Sequence, residues 1–292
     1  METLFNTSLS LPLIQKGKVR DIYAIDDKRM LIVTTDRLSA FDVVFDEPIS
    51  QKGAVLTNVA NFWFEKTKHI IPNHLTHEPL ASVLNPAEVA QVEGRAIIVK
   101  KLKPLAVEAI VRGYLIGSGW KDYQQTGAVC GTTLPNNLEL AEKLPHTLYT
   151  PSTKADLGEH DMNVDFETTV EILGADMADQ VKQASLKLYQ FAADYALKRG
   201  IIIADTKFEF GLDENNQLTL MDEVLTPDSS RFWSKADYQV GTSPKSFDKQ
   251  IVRDYLETLD WDKTPPAPVL PERIIQKTAD KYLAVQRLLT QT

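Results

Sequence analysis

The stretch I201-I-I-A-D-T-K-F-E-F-G211 joins an apolar run to Asp205, Lys207 and Glu209 at every second position. A second segment, L220-M-D-E-V224, also runs from apolar residues into acid at Asp222 and Glu223. Strand side chains alternate between faces, so Asp205, Lys207 and Glu209 share one face. The other is assigned Ile202, Ala204, Phe208 and Phe210, a core surface. Asn tolerates the positive φ of tight hairpin turns, so Asn215-Asn216 is read as a two-residue tip. That register sets Glu209 directly opposite Asp222. Two facing carboxylates repel, and a magnesium ion would resolve the conflict with oxygen ligands. Lys207 beside them suits a phosphate oxygen. Spacing alone leaves open a solvated charged face in which Lys207 screens the acids.

Working outward, T226-P-D-S-S-R-F-W233 places Arg231 one short loop beyond the acids. Arginine binds phosphate or carboxylate in a bidentate manner. Upstream, L105-A-V-E-A-I-V-R-G-Y-L115 alternates Glu108, Ile110 and Arg112 with Val107, Ala109 and Val111, a strand pattern. Gly117-Ser118-Gly119 then opens an expected helix whose free amides suit an anion. Lys18 and Arg20 in G17-K-V-R-D-I-Y23 project from one face of an early strand. An ordinary glycine-rich turn and solvated strand-edge cations are the alternatives at these two places.

The rest of the chain supplies a globular frame. It has 292 residues, 43% apolar and 25% charged, with a net charge of −8. That balance argues against nucleic acid, whose phosphates select basic surfaces. One cysteine, Cys130, excludes an internal disulfide or a cysteine zinc site. The N-terminal residues make a poor signal peptide and no apolar run reaches membrane-span length, so a cytoplasmic protein with no membrane partner is expected. Residues 16–47 read as hairpins, 94–102 as a strand, and 55–70, 178–199 and 273–290 as helices, with Gly200 as a C-cap. Residues 131–168 read as a long loop-like region, and 265–272 as a stiff proline-rich connector. His160 reads as a structural or loop residue. Strands early and helices late predict an α+β fold with a cleft between two lobes. Walker, G-x-G-x-x-G and H-R-D motifs are missing from the sequence.

Eight stretches in one order, GKVRDIY, DRLSAFD, QKGAVLTN, EAIVRGYLIGSGW, TPSTKADLGEHD, ADTKFEFG, MDEVLTPDSSRFW and SFDKQIVRDYL, resemble the SAICAR synthases of purine biosynthesis in their longer form. The resemblance runs from about residue 12 to 256. It implies ATP-dependent joining of L-aspartate to an imidazole carboxylate ribotide. It also implies a β-rich nucleotide-binding lobe, taken as 1–103, a larger substrate- and metal-binding α/β lobe, 104–292, and ATP in the cleft between them. It implies Glu209 and Asp222 as metal-binding acids. Lys18, Val19, Arg20, Leu102 and Glu108 are implied near ATP, with 100–105 as the lobe connector whose backbone meets adenine. Arg20 stands where shorter relatives carry lysine. Arg112, Ser118, Arg231 and Ser39 are implied at the ribotide, and Asp205 and Lys207 at the reacting centre. Ser152 and Lys154 form a donor cluster in a loop without a clean counterpart in shorter relatives, and are expected at the aspartate or phosphate oxygens. An inositol-phosphate-type kinase and a non-enzymatic nucleotide-binding regulator are the competing readings.

Overall fold

The structure, a computed structural model, describes residues 2–154, 162–247 and 249–291; His160 and the rest of ADLGEHD lie outside them. A four-stranded antiparallel sheet comprises β1 (Leu13–Lys16), β2 (Arg20–Ala24), β3 (Arg29–Thr34) and β4 (Ala96–Lys100), in the order β1-β2-β3-β4. Asp26 closes the hairpin between β2 and β3 by accepting from the Lys28 and Arg29 amides at 2.9 and 2.7 Å. Tyr23, Leu31, Val33 and Ile98 face a small core with Leu84 and Val92. Val92 belongs to α2 (Pro86–Val92), which starts at an Asn85–Glu88 capping box with proline in the first turn.

The larger sheet contains β5 (Lys103–Pro104), β6 (Val107–Tyr114), β7 (Lys143–Tyr149), β8 (Ser152–Thr153), β9 (Ile201–Leu212), β10 (Leu218–Met221) and β11 (Ser230–Ser234). Strand β9 is its spine and pairs antiparallel with β5, β6, β10 and β11. Helix α1 (Lys52–Thr67), although within the first 103 residues, packs Val55, Val59 and Trp63 into this sheet's core. Helix α3 (Gly117–Thr126) follows β6, while α4 (Phe166–Leu173) precedes α5 (Ala175–Leu197). The α5 residues Val181, Leu188 and Ala192 cover the sheet at helical spacing. After α6 (Gln250–Leu256), α7 (Glu272–Thr290) adds Tyr282, Val285 and Leu289. Gly200 follows α5 at φ 79°, as its reading as a stop signal requires. Among the described residues no helix is long and apolar enough to cross a membrane.

Three expectations need correction. Residues 131–168 are not one loop, since β7 and β8 pair with β6; pairing with a neighbour overrides their polar composition. The hairpin tip has three residues, Glu214-Asn215-Asn216. It is closed by Asp213 N–H to Gln217 O at 3.1 Å, with Asn216 at φ 57°. The Asp213 carboxylate accepts from the Asn215 and Gln217 amides at 2.9 and 2.8 Å, which selects this longer turn. Glu209 therefore faces Met221, not Asp222. The face assignment also changes. Ile203 pairs with Phe232 and Asp205 with Arg231, so Ala204 is an extra residue in a β-bulge. Ile201, Ile203, Phe208 and Phe210 share the main core, while Ile202 and Ala204 pack with Trp233 on the opposite side. The bulge thus puts Asp205, Lys207 and Glu209 on the face that Ile202 begins.

His74 is fully buried near the junction of the lobes, and neither ring nitrogen finds a hydrogen-bond partner among the described residues. Burial, with Arg20 and Lys100 adding to it, pushes its pKa down to about 3. The native state therefore takes up this proton later than the unfolded chain, and stability falls as pH drops below about 6.5. Between pH 7 and 5 the expected loss from this residue is about 2 kcal/mol. His74→Phe should flatten the fall in melting temperature over that interval. An unchanged fall would assign it to other groups.

Candidate functional site

The site begins with a row across three strands. Asp205 on β9 pairs in register with Arg112 on β6 and Arg231 on β11. One Asp205 oxygen accepts from Arg112 Nη1 at 2.8 Å and also from Arg231 Nη1. Asp205 and Arg112 are buried, while Arg231 keeps 29% of its side chain exposed. The row carries a net positive charge and presents it at Arg231. Arg112 also donates to Thr150 Oγ1 at 3.0 Å and to Ser118 Oγ at 2.8 Å.

The two glycines beside Ser118 admit these guanidinium groups. A β-carbon on Gly117, which lies at φ 61°, would fall 2.5 Å from Arg231 Nη2; one on Gly119 would fall 3.1 Å from Arg112 Cδ. Gly117 also opens α3, and its N-cap residue, Ile116, makes no side-chain cap. First-turn amides without an intrahelical acceptor therefore adjoin two guanidinium groups.

Two residues along β9, the Lys207 ammonium donates to Glu108 at 2.6 Å and Glu209 at 2.7 Å. Glu209 also accepts from Lys154 at 2.8 Å, and Ser152 donates to Glu108 at 3.2 Å. Burial acts to lower the Lys207 pKa, but Glu209, Glu108 and Asp222 outweigh it and hold the group above its ordinary value. Lys207 is therefore a fixed cation, not a base. Across the lobes, Arg20 on β2 forms a two-pronged ion pair with Asp222, one arm at 2.9 Å, and lies 3.6 Å from Glu223. Burial opposes ionisation of Asp222, yet Arg20 holds its pKa below the usual carboxylate value. At Glu223 burial prevails, and the neighbouring Asp228 and Asp222 help to raise the pKa. Asp222 sits at φ 68°, where β10 has ended. That turn in the chain keeps it close to Lys207 despite the shifted register.

Lys18, Val19, Ser39, Ser118, Lys207 and Arg231 line a cleft cavity of about 590 Å³, to which Lys121, Lys249 and Arg253 add positive charge. Leu102 lines a separate cavity of about 1250 Å³ at the lobe junction, together with Leu75, Thr76 and Lys100. The expected site residues thus form two linked clusters, with Leu102 apart. Thr150, Lys121, Lys249 and Arg253 escaped the sequence reading. Lys249 and Arg253 stand four apart in SFDKQIVRDYL, a spacing that would have signalled two cations on one helical face.

Among the described residues no group of three or more His, Cys, Asp or Glu is arranged to hold a metal ion. Glu209 and Asp222 offer two hard carboxylates, which fits a magnesium ion completed by nucleotide phosphates. Their oxygens are engaged by Lys154, Lys207 and Arg20, so such an ion would replace ammonium or guanidinium contacts.

The chain is similar to known proteins over nearly its whole length. The family model described as SAICAR synthetase matches residues 13–268. The phosphoribosylaminoimidazole-succinocarboxamide synthase of Methylococcus capsulatus is 62% identical, over 99% of this chain and 98% of that protein. The enzyme of that name from Cupriavidus metallidurans is 60% identical, over 99% and 98%. A solved SAICAR synthase of Saccharomyces cerevisiae, complexed with SAICAR, superposes with a TM-score of 0.91 at 41% identity, covering 99% of both chains. With a full-length structural match and a family model spanning both lobes, the chain belongs to the SAICAR synthetase family.

Proposed function

We propose that this chain joins L-aspartate to 5-amino-1-(5-phosphoribosyl)imidazole-4-carboxylate with consumption of ATP, giving SAICAR, ADP and phosphate. The observation that carries the reading is the in-register Arg231–Asp205–Arg112 row, set beside Lys207 in one cleft. Arg112, Ser118, Arg231 and the start of α3 receive the ribose phosphate. Ser39 lines the same cavity and contributes a hydroxyl. Lys18, the Val19 backbone and Arg20 meet the ATP phosphates, and Leu102 meets the adenine. Glu108 keeps Lys207 in place, and Ser152 holds Glu108.

A carboxylate is a poor acyl donor, because its leaving group would be oxide. Transfer of the terminal phosphoryl group makes an acyl phosphate. The aspartate amine then attacks the carbonyl carbon, the C–N bond forms, and the C–O bond breaks as phosphate leaves with the electron pair. Positioning and charge neutralisation dominate such transfers. Lys207 supplies a cation at the reacting oxygens, and Asp205 keeps the two arginines in place. Glu209 and Asp222 would hold a magnesium ion, whose contribution is neutralisation of phosphate charge. Lys154, now on Glu209, is placed to pass to an aspartate or phosphate oxygen.

The test is ADP release with the imidazole carboxylate, with and without aspartate. Aspartate-dependent release supports the ligase, whereas aspartate-independent phosphorylation of an alcohol would indicate a kinase. Arg231→Ala should raise the KM for the imidazole carboxylate about ten- to a hundredfold, the equivalent of roughly 1.5–3 kcal/mol for a charge-assisted contact. The KM for ATP should stay unchanged. An equal rise for ATP would move Arg231 to the nucleotide.

A further inference from the structure

Helix α1 carries two polar residues with no evident work in its packing. Thr57 and Asn61 are one turn apart and share a face. Thr57 is 6% exposed. Its Oγ1 and the Asn61 Oδ1 are buried without a hydrogen-bond partner among the described residues. In the same helix Thr67 spends its hydroxyl on the Trp63 carbonyl one turn back, at 2.7 Å. Thr57 makes no such bond, although that local contact is open to any helical threonine. Buried polar atoms are nearly always satisfied by protein or by ordered water.

Both residues line a small cavity of about 20 Å³. Its other polar walls are Arg20, Thr34, Asp222 and Glu223, and Val19, Ile32, Leu56, Ala60 and Ile97 complete it. A volume of roughly 10–15 Å³ accommodates one water, given two to four polar partners. A water can donate to the Asn61 carbonyl oxygen and to a carboxylate, and can accept from a guanidinium or the Thr57 hydroxyl. A cation would meet the Arg20 guanidinium in the same wall. The chemistry therefore favours neutral water.

We propose that Thr57 and Asn61 are positioning residues that hold one buried water against Arg20, Asp222 and Glu223. The water braces the acid pair from the α1 side, next to the cleft cavity, with which the small cavity shares Val19 and Glu223 as walls. Asp222 has left its strand at φ 68° and lacks neighbouring ladder bonds to orient it. The proposal rests on the assignment of Arg20 and Asp222 to the nucleotide and its metal.

The experiment uses the full chain and the near-isosteric Thr57→Val. Loss of a supporting contact of this kind should weaken binding of magnesium–ATP, measured by calorimetry without the other substrates, about tenfold. Turnover should fall by a similar factor, with the KM for the imidazole carboxylate unchanged and the melting temperature held or raised. Thr57→Ser should restore binding, and a high-resolution crystal structure should show the water within hydrogen-bonding distance of Thr57 and Asn61. Asn61→Leu should repeat the binding defect and serves if Thr57→Val does not fold. Nucleotide affinity within about twofold of wild type in both variants, a dry cavity, or a defect that Thr57→Ser leaves unrepaired would overturn the proposal. If Asp222→Asn is itself silent, the nucleotide-site assignment fails instead, so the two failures are distinguishable.

Discussion

Asp222→Asn and Glu209→Gln are each expected to lower kcat on the order of 10²–10³-fold, the scale for removing one preorganised charge from a reacting centre. Glu209 anchors Lys154 and Lys207, and Asp222 anchors Arg20. Each change therefore disturbs a cation as well as deleting a carboxylate. Were the two acids an isolated repelling pair, the nucleotide-free protein would gain stability from either substitution. The ion pairs reverse that sign. Losing the charge opposite Arg20 should cost about 1–2 kcal/mol, discounted because both partners retain some solvent contact. Steady-state kinetics with a thermal melt of the nucleotide-free protein makes the check. A kcat within a few-fold of wild type would remove these acids from the reacting centre.

Asp205→Ala should have the largest effect on the fold. It leaves Arg112 and Arg231 side by side without the carboxylate they share. Arg112 is already pushed below its ordinary pKa by burial, with Asp205 acting against that and Arg231 adding to it. Breaking a buried ion pair by removing one partner costs roughly 3–5 kcal/mol, so a melting temperature lower by roughly 5–8 °C is expected. Millimolar phosphate should recover part of that loss, since an anion between the arginines replaces the missing charge. No recovery with phosphate would mean that the row does not face the anion site.

Much of this site was legible in the sequence because its residues alternate on long strands. Glu108 and Arg112 on β6, and Asp205, Lys207 and Glu209 on β9, are separated by multiples of two, so their shared faces follow from strand geometry. The amphipathic helices were readable for the analogous reason at helical spacing. The bulge was not, because Ile201–Ala204 is apolar on both faces and hides a change of alternation. The register of β9 with β10 depends on the Asp213 side chain choosing a three-residue tip, and Asn215-Asn216 suits the shorter turn as well. Strand β7 lies in a stretch rich in proline and polar residues, and it is a strand because β6 offers it an edge. Thr57 and Asn61 read as ordinary helix residues, since an unmet hydrogen bond has no sequence signature.

The extra residue at Ala204 gives β9 a phase. Upstream of it odd positions belong to the interior, and downstream even positions do. Deleting that alanine would leave the pairing and faces as they are, but flattening the bulge with the alanine retained would not merely straighten the strand. With the upstream half fixed by Trp233 and Phe232, the downstream half would turn over. Phe208 and Phe210 would then face the cleft, and Asp205, Lys207 and Glu209 would face oil. The candidate site is thus encoded as a parity as much as a set of residues. Loss of the bulge with Ala204 retained is forbidden to the protein in a way that drift in side-chain identity at Ile201–Ile203 is not.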